Sequence, residues 1–124
     1  MVKEVLAVGF GGMIGSVLRY VLSQLISRYA VGSVYPYGTF IVNLLGCFGV
    51  GCFFVLLQKI DLSSDVLKLL LITGLFGGFT TFSAFGIETV TLIKNGNFTV
   101  ALIYVFLSIL LGTFFTYLGI RLCS

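Results

Sequence analysis

Charged residues divide the chain into four long apolar segments. These segments cover about residues 5–27, 35–58, 66–93 and 98–120. Each is apolar on all sides rather than along one stripe, as expected for a helix that faces lipid. A helix needs about 20 apolar residues to cross the hydrocarbon core of a bilayer. The pattern therefore predicts an all-α membrane protein, with a single four-helix transmembrane domain over residues 1–124.

Short polar stretches between the apolar segments predict the turns. Pro36 suits the first turn of the second helix. The segment 61–65 reads as a polar turn that carries helix-capping side chains. The segment 94–97 reads as the next turn, and Arg121 as the interfacial anchor of the last helix. Little of the chain is left outside the membrane.

Composition supports this interpretation and excludes several function classes. The 124 residues are 59% hydrophobic and 9% charged, with a mean hydropathy of +1.20, whereas soluble domains carry about 25% charged residues. The chain has no His and only four acidic residues, so the usual general bases and metal ligands are scarce. The net charge of +3 is dispersed and gives no nucleic-acid footprint. We expect neither an enzyme nor a nucleic-acid partner.

Three cysteines lie in or at the end of apolar runs, at positions 47, 52 and 123. Their number is odd, and their spacing matches neither a CxxC pair nor the disulfide framework of a secreted domain. They read as small buried hydrophobic residues.

The basic residues leave the orientation in the membrane weakly determined. Four spans place both termini and the 59–68 loop on one side. That side carries four basic residues against two on the other: Lys3, Lys59, Lys68 and Arg121 against Arg28 and Lys94. So small a bias permits insertion in both orientations. Four helices of one chain can hardly enclose a polar pathway, and inverted copies would supply the symmetry of larger transporters. We therefore expect an antiparallel, dual-topology homodimer.

Glycines in the first two segments predict close helix packing. Gly11 and Gly15 form a GxxxG motif, and Gly46, Gly49 and Gly51 crowd the second segment. Small residues at such spacing let helix backbones approach each other in lipid. Packing alone explains them fully.

The third segment is predicted to be a broken helix. Residues 74–82 concentrate glycines and a Thr-Thr pair, and both residue types weaken helical structure. Broken helices persist at membrane depth where protein or water satisfies the freed backbone groups, and their carbonyls are potential cation ligands. A glycine kink without a site is the alternative.

Three side chains near this break could contact a small anion. Phe82 and Phe85 are three residues apart and share a helix face, and the edge of an aromatic ring is electropositive. Asn43 lies in the middle of the second segment, and its amide offers two donors. Lipid contact by the rings and interhelical hydrogen bonding by the amide are the structural alternatives.

The fourth segment carries a polar stripe. Tyr104, Ser108, Gly112 and Thr116 recur every four residues, so they share one helix face. Hydroxyl donors in a row could replace the waters of an ion. Hydrogen bonding between helices is the alternative.

Two charged residues lie inside the apolar segments. An unpaired charge at the bilayer centre costs about 2.5–3.5 kcal/mol on insertion scales, so Arg19 and Glu88 should face protein or water. They could pair with each other, or Glu88 could act in ion steering or proton coupling. The sequence leaves these alternatives open.

Three motifs resemble those of the Fluc/CrcB fluoride channels, small four-span bacterial proteins that export fluoride passively. They are GGMIGSVLRY at 11–20, YGTFIVNLLGCFGVG at 37–51 and GLFGGFTTFSAFGIE at 74–88. The resemblance covers essentially the whole chain, and the third motif is highly specific. It implies a multi-pass protein of the bacterial cell (inner) membrane.

The resemblance also implies an assembly and a set of site residues. The dimer would contain two pores and a structural sodium ion (Na+) at its centre, bound by the backbone carbonyls of Gly77 and Thr80. Arg19 would shape the electrostatics of the vestibule. The fluoride pathway would comprise Asn43, Phe82, Ser83, Phe85, Tyr104, Ser108 and Thr116. Ala84 departs from the family pattern, which usually has Thr there, so the hydroxyl track should be shorter.

We therefore expect a fluoride-selective ion channel that relieves fluoride toxicity, with fluoride, sodium, membrane lipid and a second copy of the chain as partners. One alternative is a small proton-coupled exporter, but such exporters need a Glu in the first span, and residues 5–27 contain none. A non-transporting membrane scaffold is the other, and it leaves the run at 80–85 unexplained.

Overall fold

The computed structural model describes residues 1–60 and 65–124 as a helical bundle. The polar turn expected at 61–65 therefore lies, apart from Asp65, outside the described residues. Helix bounds are as follows: α1, Val2–Tyr29; α2, Tyr37–Lys59; α3, Asp65–Lys68; a π-helical segment, Leu69–Phe76; α4, Gly77–Phe79; α5, Phe82–Lys94; and α6, Phe98–Cys123.

Four helical spans are long and apolar enough to cross a membrane, which confirms the all-α membrane fold. They are Val2–Tyr29, Tyr37–Lys59, Asp65–Lys94 and Phe98–Cys123. Pro36 directly precedes α2 instead of lying within its first turn, and its carbonyl accepts a hydrogen bond from the Phe40 amide at 3.1 Å. The turn after α5 contains Gly96 with a φ of 80°, a backbone conformation that glycine adopts without strain.

Glycines bring the helices into two closely packed pairs. In the first pair, α1 lies on the third span: a Cβ atom added at Gly78 would stand 2.6 Å from the Gly12 carbonyl oxygen. In the second, α2 lies on α6: a Cβ at Gly119 would stand 3.0 Å from the Cys52 nitrogen. Backbones approach this closely only where side chains are absent, and such contacts supply the van der Waals attraction that holds helices together in lipid.

Helices α2 and α6 run parallel. Gly112 faces Cys47, and farther along both helices Gly51 faces the backbone of Ile120. Because both contacts advance in the same direction along the two chains, the ends of α2 and α6 lie at the same side of the bundle.

Regular helical geometry is interrupted within the third span. The eight residues Leu69–Phe76 form a π-helical segment, an arrangement that is rare and found mostly at functional sites. α4 then ends at Phe79, and Thr80 (φ −82°, ψ 156°) and Thr81 (φ −145°, ψ 117°) are extended. The Thr81 hydroxyl caps α5 by accepting a hydrogen bond from the Ala84 amide at 3.1 Å.

Candidate functional site

The side chain of Asn43 binds the extended backbone of Thr81 on both sides. Its Oδ1 accepts a hydrogen bond from the Thr81 amide at 2.8 Å, and its Nδ2 donates to the Thr81 carbonyl at 3.1 Å. The amide of Asn43 therefore pairs with Thr81 as a neighbouring strand would. One Nδ2 hydrogen remains beyond this pair, because the amide group has two donors.

Two backbone carbonyls lose their helical donors at the interruption. In a continuous helix the Thr81 amide would donate to the Gly77 carbonyl, and the Ala84 amide to the Thr80 carbonyl. Here the Thr81 amide donates to Asn43, and the Ala84 amide donates to the Thr81 hydroxyl. The Gly77 and Thr80 carbonyl oxygens are thus the groups through which this chain could hold a hard cation.

A cavity of about 400 Å³ opens beside the interruption. It brings together side chains from α2, α5 and α6 that the sequence had nominated separately: Asn43, Phe82, Phe85 and Ser108. Gly77 and Thr80 also line it. The remaining wall is apolar, with residues such as Val50, Ile72 and Ile109. The few polar groups therefore converge in a largely apolar surrounding, which is typical of binding sites.

Aromatic rings lead from this cavity into the bundle. The ring centroids of Phe82 and Phe85 are 5.6 Å apart, and those of Phe85 and Tyr104 are 5.1 Å apart. Tyr104 is fully buried, whereas Phe82 is 85% exposed in the single chain. Phe82 and Phe85 share a helix face, as their spacing indicates, and Tyr104 packs against the second of them.

Glu88 joins α2, α5 and α6 through two short hydrogen bonds. Its carboxylate accepts from the Thr39 hydroxyl at 2.6 Å and from the Tyr104 hydroxyl at 2.7 Å. These hydroxyls, not Arg19, are the partners that the structure gives to the carboxylate. Bonds of this kind stabilise an ionised carboxylate inside an apolar span.

Arg19 lies on the wall of a neighbouring cavity of about 270 Å³, which Thr39 and Glu88 also line. Its Nε is buried and has no hydrogen-bond partner among the described residues. The side chain therefore faces protein and a polar recess, as the cost of an intramembrane charge requires.

Tyr35, in the loop before α2, stands beside this polar region. Burial, and to a lesser extent the neighbouring Tyr37, raises the pKa of its phenol to about 12. The phenol is protonated at neutral pH, and its oxygen finds no partner within the described residues. It is thus a donor available to a polar guest.

Two of the nominated hydroxyls lie outside the 400 Å³ cavity. The Ser83 hydroxyl stands 3.2 Å from the Thr81 hydroxyl. The Thr116 hydroxyl donates to the Gly112 carbonyl of its own helix at 3.0 Å. The stripe on α6 is therefore divided: Ser108 reaches the cavity, Tyr104 reaches Glu88, and Thr116 bonds within its helix.

The sequence did not nominate Thr39 or Thr81 as site residues. Thr39 lies one helical turn before Asn43, which places it on the same face of α2, and this spacing was the signal for it. Thr81 acts mainly through its backbone, which no residue pattern reveals. The site that results offers amide, hydroxyl and ring-edge donors to a small anion, and backbone carbonyls to a cation.

Comparison with known proteins identifies the family. The family profile described as CrcB-like protein, Camphor Resistance (CrcB), matches residues 6–120. A Flavobacterium psychrophilum protein named fluoride-specific ion channel FluC is 42% identical over 118 residues, which is 95% of this chain and 94% of the relative. Proteins with the same name from Oceanobacillus iheyensis and Rhizobium johnstonii are 46% identical, over 97% of this chain and 91% of theirs, and 47% identical, over 88% and 86%. The chain belongs to the CrcB-like protein family.

Proposed function

We propose that the chain is a fluoride-selective ion channel that exports fluoride passively across the cell membrane of a bacterium and so relieves fluoride toxicity. The observation that carries the proposal is the cavity beside Thr81, where Asn43, Phe82, Phe85 and Ser108 meet. The relatives' name agrees with it, since each is called a fluoride-specific ion channel.

The chemistry of the cavity suits a small, strongly hydrated anion. Conduction requires that the protein replace the hydration shell and yet bind the ion weakly enough to release it. The remaining Nδ2 hydrogen of Asn43 and the Ser108 hydroxyl supply hydrogen-bond donors. The edges of the Phe82 and Phe85 rings add positive potential without a fixed charge. Several weak contacts of this kind favour passage over tight binding.

The working assembly is an antiparallel, dual-topology homodimer. Phe82 is 85% exposed in the single chain although it belongs to a membrane-spanning segment, and the cavity beside it is open on one side. A second, inverted copy would cover this face and complete two pathways. Inverted repeats around a central site are a common architecture among membrane transport proteins.

A structural sodium ion at the centre of the dimer fits the carbonyl groups at the interruption. The amides that would otherwise bond Gly77 and Thr80 are taken by Asn43 and by the Thr81 hydroxyl. Unwound carbonyls are known ligands for sodium in membrane proteins. Two carbonyls from each of two copies would surround the ion.

Flux measurements on ring variants test the proposal. Purified protein in liposomes should release fluoride and retain chloride, with no proton gradient applied. Phe82→Ile and Phe85→Ile each remove one ring edge, and we expect fluoride efflux to fall at least about tenfold, which corresponds to about 1.4 kcal/mol on the barrier. Phe114→Ile is the matched control, because Phe114 packs against Phe115, away from the cavity. Unchanged efflux in both ring variants would contradict the assignment.

A further inference from the structure

Cys52 and Cys123 lie on facing sides of α2 and α6. Gly119 rests on the backbone of α2, where an added Cβ would stand 3.0 Å from the Cys52 nitrogen. Cys123 follows Gly119 by four residues, so it shares the same face of α6, one turn farther along. The Cα–Cβ bonds of a helix tilt toward its N-terminus, so the Cys123 thiol is directed back toward the level of Cys52.

Two further contacts hold this end of α6 against α2. The Lys59 ammonium donates a hydrogen bond to the Cys123 carbonyl at 2.7 Å. Lys59 follows Cys52 by seven residues, which is two helical turns, so both face α6. The Cys52 and Cys123 thiols also interact side chain to side chain. Both are free thiols, and Cys47 is separate from them because its sulfur faces Gly112.

We propose that Cys52 and Cys123 form a redox-active thiol pair, which a small-molecule disulfide converts into an intrachain disulfide. The sequence alone reads all three cysteines as inert packing residues, because 71 positions separate 52 from 123 and no motif connects them. The parallel packing of α2 and α6 is what brings the pair together. This inference does not depend on the proposed channel function.

The reaction proceeds by two thiol–disulfide exchanges. The thiolate of Cys123, which is the more accessible of the two, attacks one sulfur of the external disulfide and displaces one small thiolate. The Cys52 thiolate then attacks the Cys123 sulfur and displaces the second. Two electrons pass from the cysteines to the external disulfide, which leaves as two thiols after taking up the two cysteine protons. A covalent link then ties the end of α6 to α2.

The test uses the full chain in detergent with Cys47→Ala, so that only the proposed pair can react. The probe is 4,4′-dithiodipyridine, a small apolar disulfide that releases a coloured thiopyridone at each exchange. We expect two thiopyridones per chain. The mass of the product should fall by two hydrogen atoms, no pyridylthio group should remain, and peptide mapping should recover a Cys52–Cys123 link.

A second variant separates the pair from independent thiols. With Cys52→Ala added, Cys123 should release one thiopyridone and keep one pyridylthio group. Three results in the variant that retains both cysteines would overturn the proposal. These are pyridylthio groups left on the cysteines, disulfides between chains on a non-reducing gel, and failure of Cys52 to react at all.

Discussion

Helix α2 makes two contacts that are held in opposite ways. Against α6 it is held by glycine packing, with Gly51 and Gly119 letting the two backbones touch. Against the third span at Thr81 it is held by one side chain, the amide of Asn43. The first contact depends on shape over several turns, and the second depends on two hydrogen bonds. Rigid packing thus surrounds a site whose backbone is free of helical constraint.

The largest expected effect comes from breaking the glycine contact. Gly119→Leu would place a branched side chain against the Phe48 carbonyl and the Cys52 nitrogen. Overpacking usually costs about 1–3 kcal/mol and occasionally more, and here the obstacle is backbone, which cannot turn away. We expect a cost at or above the upper end of that range. It should be seen as loss of monodisperse protein in size-exclusion chromatography and a lower thermal unfolding midpoint.

Gly112→Ala is the matched control for this substitution. A Cβ at Gly112 would stand 3.5 Å from the Cys47 sulfur, which is ordinary van der Waals contact. We expect the control to unfold close to the parent midpoint. If Gly119→Leu behaved like Gly112→Ala, the close packing of α2 on α6 would be wrong.

A smaller effect comes from removing the amide contact. Asn43→Leu keeps the approximate size of the side chain but leaves the Thr81 amide and carbonyl without their partner. An unsatisfied buried polar group costs about 1–3 kcal/mol. We therefore expect destabilisation in that range in a chemical unfolding titration, together with loss of fluoride efflux. Thr113→Val is the control, since the Thr113 hydroxyl is exposed and bonds only to the Ile109 carbonyl; a control as destabilised as Asn43→Leu would remove the special role of the amide.

The smallest effect sharpens the comparison at the cap of α5. Thr81→Ala removes the hydroxyl that accepts from the Ala84 amide and keeps the backbone that binds Asn43. Loss of such a cap costs about 1 kcal/mol. Thr81→Ser retains the oxygen and should recover most of the stability in the same titration. Equal stability of the Ala and Ser variants would show that the Asn43 contact alone holds this segment.

The four spans could be predicted because lipid imposes a one-dimensional constraint that a single sequence displays. The predicted bounds, such as 98–120 against Phe98–Cys123, differ only where basic residues extend the helix ends. The residues 74–82 drew attention for the same reason, since glycine and threonine weaken helices wherever they occur. The two extended residues, Thr80 and Thr81, lie within that window.

The contacts within the site could not be predicted, because they join distant parts of the chain. Asn43 and Thr81 are 38 residues apart, and Thr39 and Glu88 are 49 apart. The sequence indicated that Glu88 needs a partner inside the membrane, and it suggested Arg19. Only the packing of α2, α5 and α6 shows that two hydroxyls, from Thr39 and Tyr104, reach the carboxylate instead.

The π-helical segment makes the site sensitive to the number of residues that precede it. Leu69–Phe76 lies immediately before the interruption, and a π turn contains more residues than an α turn of 3.6. Deleting one residue there would let the segment return to α geometry, but it would rotate everything that follows by about 100°. Thr81 would then turn away from Asn43. We infer that this stretch accepts substitutions far more readily than insertions or deletions, so its length is part of the information that builds the site.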